Sequence, residues 1–192
     1  MQVSYLILAS VLFLPNVAGA QSADSAAFHG RQWGTEFNIG GGFAAAGMIR
    51  FSSPTRALIA NVGTDLSHSS STYAGNANSG SDVGMNLRLG ARAYHAVGSR
   101  VYRLTTVGLS LNYTWQQTTQ GGSRFASQGI GAGVFGDIGA TWLVTPHLGL
   151  GARFAGTVMY NHYRSTEPGS TARANQVRAS VGSIALVGQF YF

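Results

Sequence analysis

From residue 33 to the C-terminus, apolar and polar residues alternate with a period of two, the mark of strands with one apolar face. Over residues 82 to 97 the odd positions hold Val83, Met85, Leu87, Leu89, Ala91 and Ala93, while the even ones include Asn86, Arg88, Arg92 and Tyr94. Over 105 to 116, Val107, Leu109, Leu111, Tyr113 and Trp115 oppose Thr106, Ser110, Asn112, Thr114 and Gln116. Ile130, Val134, Ile138 and Trp142 then alternate with Gly129, Gly131, Gly133 and Asp137. Leu148, Leu150, Phe154, Val158 and Tyr160 face away from Arg153 and Asn161.

Turn chemistry divides this pattern into elements. Ser52-Ser53-Pro54-Thr55, Gly98-Ser99-Arg100 and Thr145-Pro146-His147 read as tight hairpin joints on one side. The Ser/Gly/Asn/Gln-rich stretches Ser69 to Ser81, Thr118 to Phe125 and Ser165 to Asn175 read as longer loops on the other side. Strands are predicted over 56 to 68, 82 to 97, 101 to 117, 126 to 144, 147 to 164 and 176 to 192. A barrel with an even strand count needs two more, so residues 33 to 52 divide at Gly40-Gly41-Gly42 into Trp33 to Ile39 and Phe43 to Phe51. In the last strand Val177, Ala179 and Val181 have the opposite parity to Ile184, Leu186, Phe190 and Phe192, which predicts a bulge near Gly182-Ser183.

The fold class that follows is all-β, an eight-stranded antiparallel up-and-down transmembrane β-barrel. A soluble barrel would alternate in the same way, and the aromatic residues separate the two. Tyr113, Trp115 and Tyr160 stand on the apolar face near the long loops, and Trp142, Phe190 and Phe192 near the short turns. Two such bands suit two membrane interfaces. The chain ends on Gly188-Gln189-Phe190-Tyr191-Phe192, an apolar strand suited to pairing with the first strand so that no edge stays open in lipid.

Composition agrees with this and narrows it. The 192 residues are 45% hydrophobic and only 9% charged, with 27 Gly. After residue 20 no apolar stretch approaches the length of a spanning helix. Residues 1 to 20 read as a signal peptide, with an apolar run over 4 to 18 and Ala18-Gly19-Ala20 before a cleavage point at Gln21. Met1-Gln2-Val3 carries no Lys or Arg, which leaves open whether Met1 is the true start. Residues 21 to 32 then form a periplasmic N-terminal segment and 33 to 192 the barrel, with both termini periplasmic. The absence of Cys excludes a lipoprotein anchor, disulfides and thiolate metal sites. The net charge of +6 comes from arginines scattered singly along the chain, a distribution unsuited to nucleic acid.

Candidate chemistry lies inside the barrel and at its rim. By parity the lumen receives Glu36, Asn38, Arg50, Asn61, Asp65, Asn86, Arg88, Arg92, Tyr94, Tyr102, Asn112, Asp137 and Arg153. Four arginines facing three carboxylates read as a salt-bridged plug, because eight strands enclose little more than their own side chains. The alternative is a narrow, anion-preferring pore. Gly129, Gly131 and Gly133 are expected to make room for Tyr94, Tyr102 or the guanidinium groups. At the outer rim Arg124, Arg164 and Arg173, with Arg178 beside them, suit the phosphates of lipopolysaccharide, the alternative being a solvated loop surface.

The mature chain resembles the small bacterial outer-membrane β-barrel proteins of the OmpA and OmpX type, through its leader, its eight strands, its short inner turns and its terminal Phe192. The resemblance implies an outer-membrane location among lipids, monomeric state, and recognition of Phe190 and Phe192 by the barrel-assembly machinery. It does not imply one activity, since these barrels include structural anchors, adhesins and lipid A enzymes. Lipid A deacylases of this class carry a His-x-Ser pair, which His68 and Ser70 match. The equivalent serine near His162 is replaced by Arg164, and no carboxylate is placed to orient the imidazole. The reading is therefore a non-enzymatic barrel without a cofactor. Gly131-Ala132-Gly133-Val134-Phe135-Gly136 fits a dinucleotide motif by chance, with no helix after it. The histidines at 29, 68, 95, 147 and 162 lack metal-ligand spacing.

Overall fold

The structure is a computed structural model that describes residues 27–40, 43–73, 76–120, 123–167 and 170–192, with side chains except at 43, 67–78, 120 and 167. The expected leader and residues 21–26 lie outside the described residues.

Eight strands follow in order: β1 (Trp33–Gly40), β2 (Phe43–Ser53), β3 (Arg56–Tyr73), β4 (Asn76–Ala96), β5 (Val101–Gln120), β6 (Ser123–Thr145), β7 (Leu148–Glu167) and β8 (Ser170–Tyr191). Each pairs antiparallel with the next, and β8 returns to β1, closing a barrel. Closure is completed at the end where β1 starts and β8 finishes: Trp33 N donates to Phe192 O at 3.2 Å and Phe192 N donates to Trp33 O at 2.9 Å. This is the near end of the barrel, and the opposite one is the far end.

The division at the triple glycine is correct, since Gly40 and Phe43 face each other across the first hairpin. So is the bulge. Pairing steps from Ala155↔Ser183 to Gly156↔Val181, leaving Gly182 without a partner at φ 107°, a conformation open to glycine and costly for other residues. The extra residue keeps Val181 and Ile184 both on the outside, at 78% and 62% exposure.

The expected long loops are not loops. β3 and β4 pair without interruption to Tyr73↔Asn76, β5 and β6 to Gln120↔Ser123, and β7 and β8 to Glu167↔Ser170. The Ser/Thr/Asn/Gln stretches there carry no apolar alternation because strands standing beyond the apolar belt meet water on both faces. Their backbone ladder continues regardless, supported by contacts such as Ser165 Oγ donating to Ser127 Oγ at 3.4 Å.

Outside, every strand contributes exposed apolar side chains, among them Ile39, Met48, Leu58, Leu89, Leu109, Ile130, Phe154 and Leu186. A continuous belt of that extent is foreign to soluble monomers and suits hydrocarbon. Inside, the near end is filled by an aromatic floor. Phe28, only 1% exposed, enters from the N-terminal segment, stacks on Phe51 at 4.6 Å between ring centroids, and touches Tyr94, Tyr102 and Tyr191 at 4.9 to 5.0 Å. The segment is held by Arg31 N donating to Phe51 O and Phe51 N donating to Gln32 O, at 2.9 and 2.8 Å.

This floor corrects the placement of Arg50. The inner face of β2 carries Ile49 and Phe51, both buried, so the polar-inward rule reverses on that strand and Arg50 points outward. Its guanidinium sits 5.2 Å from the ring centroid of Trp33, an arrangement suited to a membrane interface.

Truncating Phe28 removes the stopper around which four other rings pack. Phe28→Ala is expected to cost about 3 to 5 kcal/mol, the range for buried Phe→Ala changes. The check is the temperature at which the folded band converts to the unfolded one in detergent gels, which falls in the variant.

Candidate functional site in the lumen and at the far rim

Strand alternation brings side chains from distant parts of the chain to one level of a small barrel. Immediately above the aromatic floor lies a charged layer whose hub is Glu36, fully buried on β1. Arg92 Nη1 and Nη2 from β4 donate to its two oxygens at 2.6 and 3.2 Å, a bidentate pair. Arg153 Nη2 from β7 donates to it at 3.0 Å, Asn61 Nδ2 from β3 at 2.7 Å and Gln189 Nε2 from β8 at 3.1 Å. The arginines are themselves tied down. Arg92 Nε donates to Thr106 Oγ1 at 3.0 Å, and Arg153 reaches Asp137 at 3.5 Å and the amide oxygen of Asn38. Tyr191 OH donates to Gln189 Oε1 at 2.7 Å, joining the charged layer to the floor below.

Of the seven charged lumen residues expected from sequence, the structure therefore gathers Glu36, Arg92, Asp137 and Arg153 into one network. Arg50 is outside. Asp65 faces inward but lies exposed toward the far end. Arg88 stands one level above the network, with its Cζ 5.3 Å from the Phe135 ring centroid. Sequence reasoning missed Thr106, Gln189 and Tyr191 as members of this assembly. The signal for Gln189 was available, because a polar residue between Gly188 and Phe190 in an otherwise greasy final strand has to answer a lumenal charge.

Farther up, the lumen is polar and less filled. Asn112 Nδ2 donates to Asn161 Oδ1 at 3.2 Å directly across Gly131, which faces both residues in the ladder. A side chain at Gly131 would occupy the space of these two amides. Gly129 and Gly133 likewise make room for Tyr163 and Met159, not for Tyr94, Tyr102 or the guanidinium groups.

At the far rim the outer face carries Arg164 on β7 and Arg173 on β8 as direct cross-strand partners. Both are exposed, one step beyond His162 and Asn175, whose Nδ1 and Oδ1 make a 2.7 Å hydrogen bond. Tyr160, an outer-band aromatic, lies one further step toward the belt. Like charges placed opposite each other destabilise a sheet unless an anion lies between them. Arg124 pairs with Thr119 and lies beyond Gln128, the β6 partner of Arg164, so it stands apart from this pair. Arg178 does not belong to the rim, because its partner is the lumenal Met159. The side chains of His68 and Ser70 lie outside the described residues.

No family model and no curated protein matches the chain. Solved structures do resemble it in fold. A major outer membrane protein from Thermus thermophilus superposes with a TM-score of 0.59 at 12% identity, over 84% of this chain and 98% of that one. Acinetobacter baumannii CarO2 gives a TM-score of 0.49 at 10% identity, over 84% and 98%. Ail, the attachment invasion locus protein of Yersinia pestis, gives 0.44 at 8% identity, over 83% and 93%. The fold is that of the small bacterial outer-membrane β-barrels.

Among the described residues Glu36 is the only carboxylate in a salt bridge with Arg92, and Arg153 without it would keep only Asp137 at 3.5 Å, so its removal leaves one buried cation unpaired and a second weakly paired. Glu36→Ala is expected to destabilise the barrel by about 3 to 5 kcal/mol, and Asp137→Asn by less, because Arg153 keeps Glu36. Urea unfolding followed by tryptophan fluorescence gives the comparison.

Proposed function

We propose that the protein is a monomeric, non-enzymatic barrel of the bacterial outer membrane, with a closed lumen and with an outer rim that binds lipopolysaccharide phosphate. The near end faces the periplasm, and Phe190 and Phe192, exposed on the outer face there, serve as the terminal signal for the barrel-assembly machinery. The observation that carries the reading is the pairing of an apolar belt around all strands with an interior obstructed at two successive levels. An anion-preferring pore would require both the Glu36 network and the aromatic floor to move, which separates it from the closed form by many buried contacts.

Lipopolysaccharide supplies what the rim lacks. Arg164 and Arg173 stand side by side just beyond the outer aromatic level, where phosphate groups of the outer leaflet lie. One phosphate received between two guanidinium forks turns a repulsive pair into a clamp.

The barrel reconstituted in planar bilayers is expected to show no steady conductance, and an anion-selective current would favour the pore instead. Binding of purified lipopolysaccharide to the detergent-solubilised barrel is expected to weaken about tenfold in Arg164→Ala/Arg173→Ala, equivalent to about 1.4 kcal/mol, and to lose much of its salt dependence. Arg124→Ala is expected to change little. Equal binding by the double variant and the parent would remove the rim from the function.

A further inference from the structure

The aromatic floor sets the character of the wall outside it. On β2 to β5 the inward positions at the near end belong to floor residues, Ile49 and Phe51, Ala57, Tyr94, and Tyr102 with Leu104, so the alternate positions turn outward. Those positions hold Arg50, Arg56, His95 and Arg103, and the three arginines are exposed. Elsewhere around the same end the outward positions are apolar and largely aromatic, with Trp142 on β6, Phe190 on β8 and Trp33 on β1 all exposed. The near end therefore carries a basic arc on one side of its circumference and an aromatic arc on the other.

The basic side chains are neighbours in the ladder. Arg50 pairs with Leu58, and Arg56 lies two residues along β3, a diagonal position. Arg56 pairs with Ala93, and His95 lies two residues along β4; His95 and Arg103 are direct partners. Diagonal neighbours on one face of a sheet stand about 7 to 8 Å apart, within reach of long side chains. No side-chain carboxylate of the described residues stands at this level of the outer face. Glu36 and Asp137 are buried in the lumen, and Asp65, Asp82 and Glu167 belong to strand segments nearer the far end. A row of like charges across adjacent strands is unfavourable by itself and becomes favourable around an anion.

That anion has to lie against hydrocarbon. Leu58, Leu89 and Val107, all exposed, continue the outer faces of β3, β4 and β5 into the apolar belt, so the arc stands at its border. The Arg50 guanidinium, 5.2 Å from the Trp33 ring centroid, uses its face on the indole and keeps its in-plane N–H donors for an acceptor. Such donors match phosphate oxygens. A water-soluble acidic partner would have to reach this row through the headgroup layer, whereas a phospholipid headgroup is already there.

We propose that the arc from Arg50 to Arg103 is a binding site for anionic phospholipid, its phosphodiester received by Arg50, Arg56 and Arg103 and its acyl chains lying along the belt. The barrel thereby orders anionic lipid on one side of its circumference and not on the other. The site lies at the opposite end from the rim pair Arg164 and Arg173. Its placement in the inner leaflet rests on the reading that the near end faces the periplasm.

Tryptophan quenching tests the site in vesicles of phosphatidylcholine containing a small fraction of acyl-brominated lipid. Trp115→Phe/Trp142→Phe keeps Trp33, the cross-strand partner of Arg50, as one probe. Leu150→Trp in a chain with all three native tryptophans replaced by Phe puts the other on β7, across the barrel from β3. Brominated phosphatidylglycerol is expected to quench Trp33 as though enriched about three- to fivefold over brominated phosphatidylcholine, and to show no enrichment at residue 150. The Trp33 enrichment is expected to vanish in Arg50→Gln/Arg56→Gln/Arg103→Gln and to shrink in high salt. Equal quenching of Trp33 by the two lipids, the same enrichment at both probes, or enrichment unchanged in the folded triple variant overturns the site. The two-probe contrast decides the matter even if that variant does not fold. Absence of lipid preference together with salt-sensitive binding of polyglutamate would assign the arc to an acidic protein and overturn it equally. The leaflet is read separately with Ser99→Cys, in the near-end turn of a chain without cysteine. A membrane-impermeant maleimide is expected to leave it unlabelled on intact cells, and labelling would overturn the inner-leaflet placement with the orientation, a failure distinct from loss of lipid preference in vesicles.

Discussion

A backbone carried through hydrocarbon has no water to pair with, so every amide and carbonyl must find its partner inside the sheet. That requirement is met here by closing eight strands on themselves, with β8 returning to β1 and the first and last barrel residues exchanging hydrogen bonds. Much else follows from closure. A ring of eight strands is too narrow for a water-filled channel, so the inward side chains must fill it and satisfy one another. The outward side chains are free to be apolar, and between the Arg50–Trp33 level and the rim arginines Arg164 and Arg173 they form an apolar belt.

Filling a narrow polar lumen with charge is costly unless the charges are matched almost atom for atom. The network meets this by giving Glu36 donors from β3, β4, β7 and β8, so one carboxylate ties together strands far apart in sequence. Its placement next to an aromatic floor deepens the effect, since Phe28, Phe51, Tyr94 and Tyr191 exclude water from one side of the ion pairs. Loss of one partner leaves charge in a medium that cannot solvate it. Apolar packing and ion pairing are therefore mutually dependent in this lumen: the floor dries the network, and Gln189 with Tyr191 connects them.

The same constraint makes the departures from closure informative. β1 and β2 are the shortest strands of the eight, and among the described residues their ladders to β8 and β3 end at Ile39↔Leu186 and Phe43↔Asp65. The rim offers a second departure, two arginines opposed across a ladder where neutral residues would pack with less strain. That pair places two guanidinium groups side by side on the outer face.

Much of the architecture was legible along the chain because lipid-facing strands obey a strict two-residue period. The eight strands, the division at Gly40-Gly41-Gly42, the turns at Pro54, Ser99 and Pro146, and the bulge at Gly182 all follow from that period and its one phase break. The pairing of Glu36 with Arg92 and Arg153 was legible only as membership of one lumen, since parity fixes a face and carries no information about height. Strand ends beyond the belt escaped notice because polar residues on both faces look the same as a loop. Arg50 and Phe28 were decided by the tertiary structure alone: whether an arginine or its neighbours Ile49 and Phe51 turn inward depends on which rings from β4, β5 and β8 already occupy that level. The mismatch between the short β1–β2 hairpin and the long β3 and β8 that flank it likewise emerges only once the sheet is rolled shut.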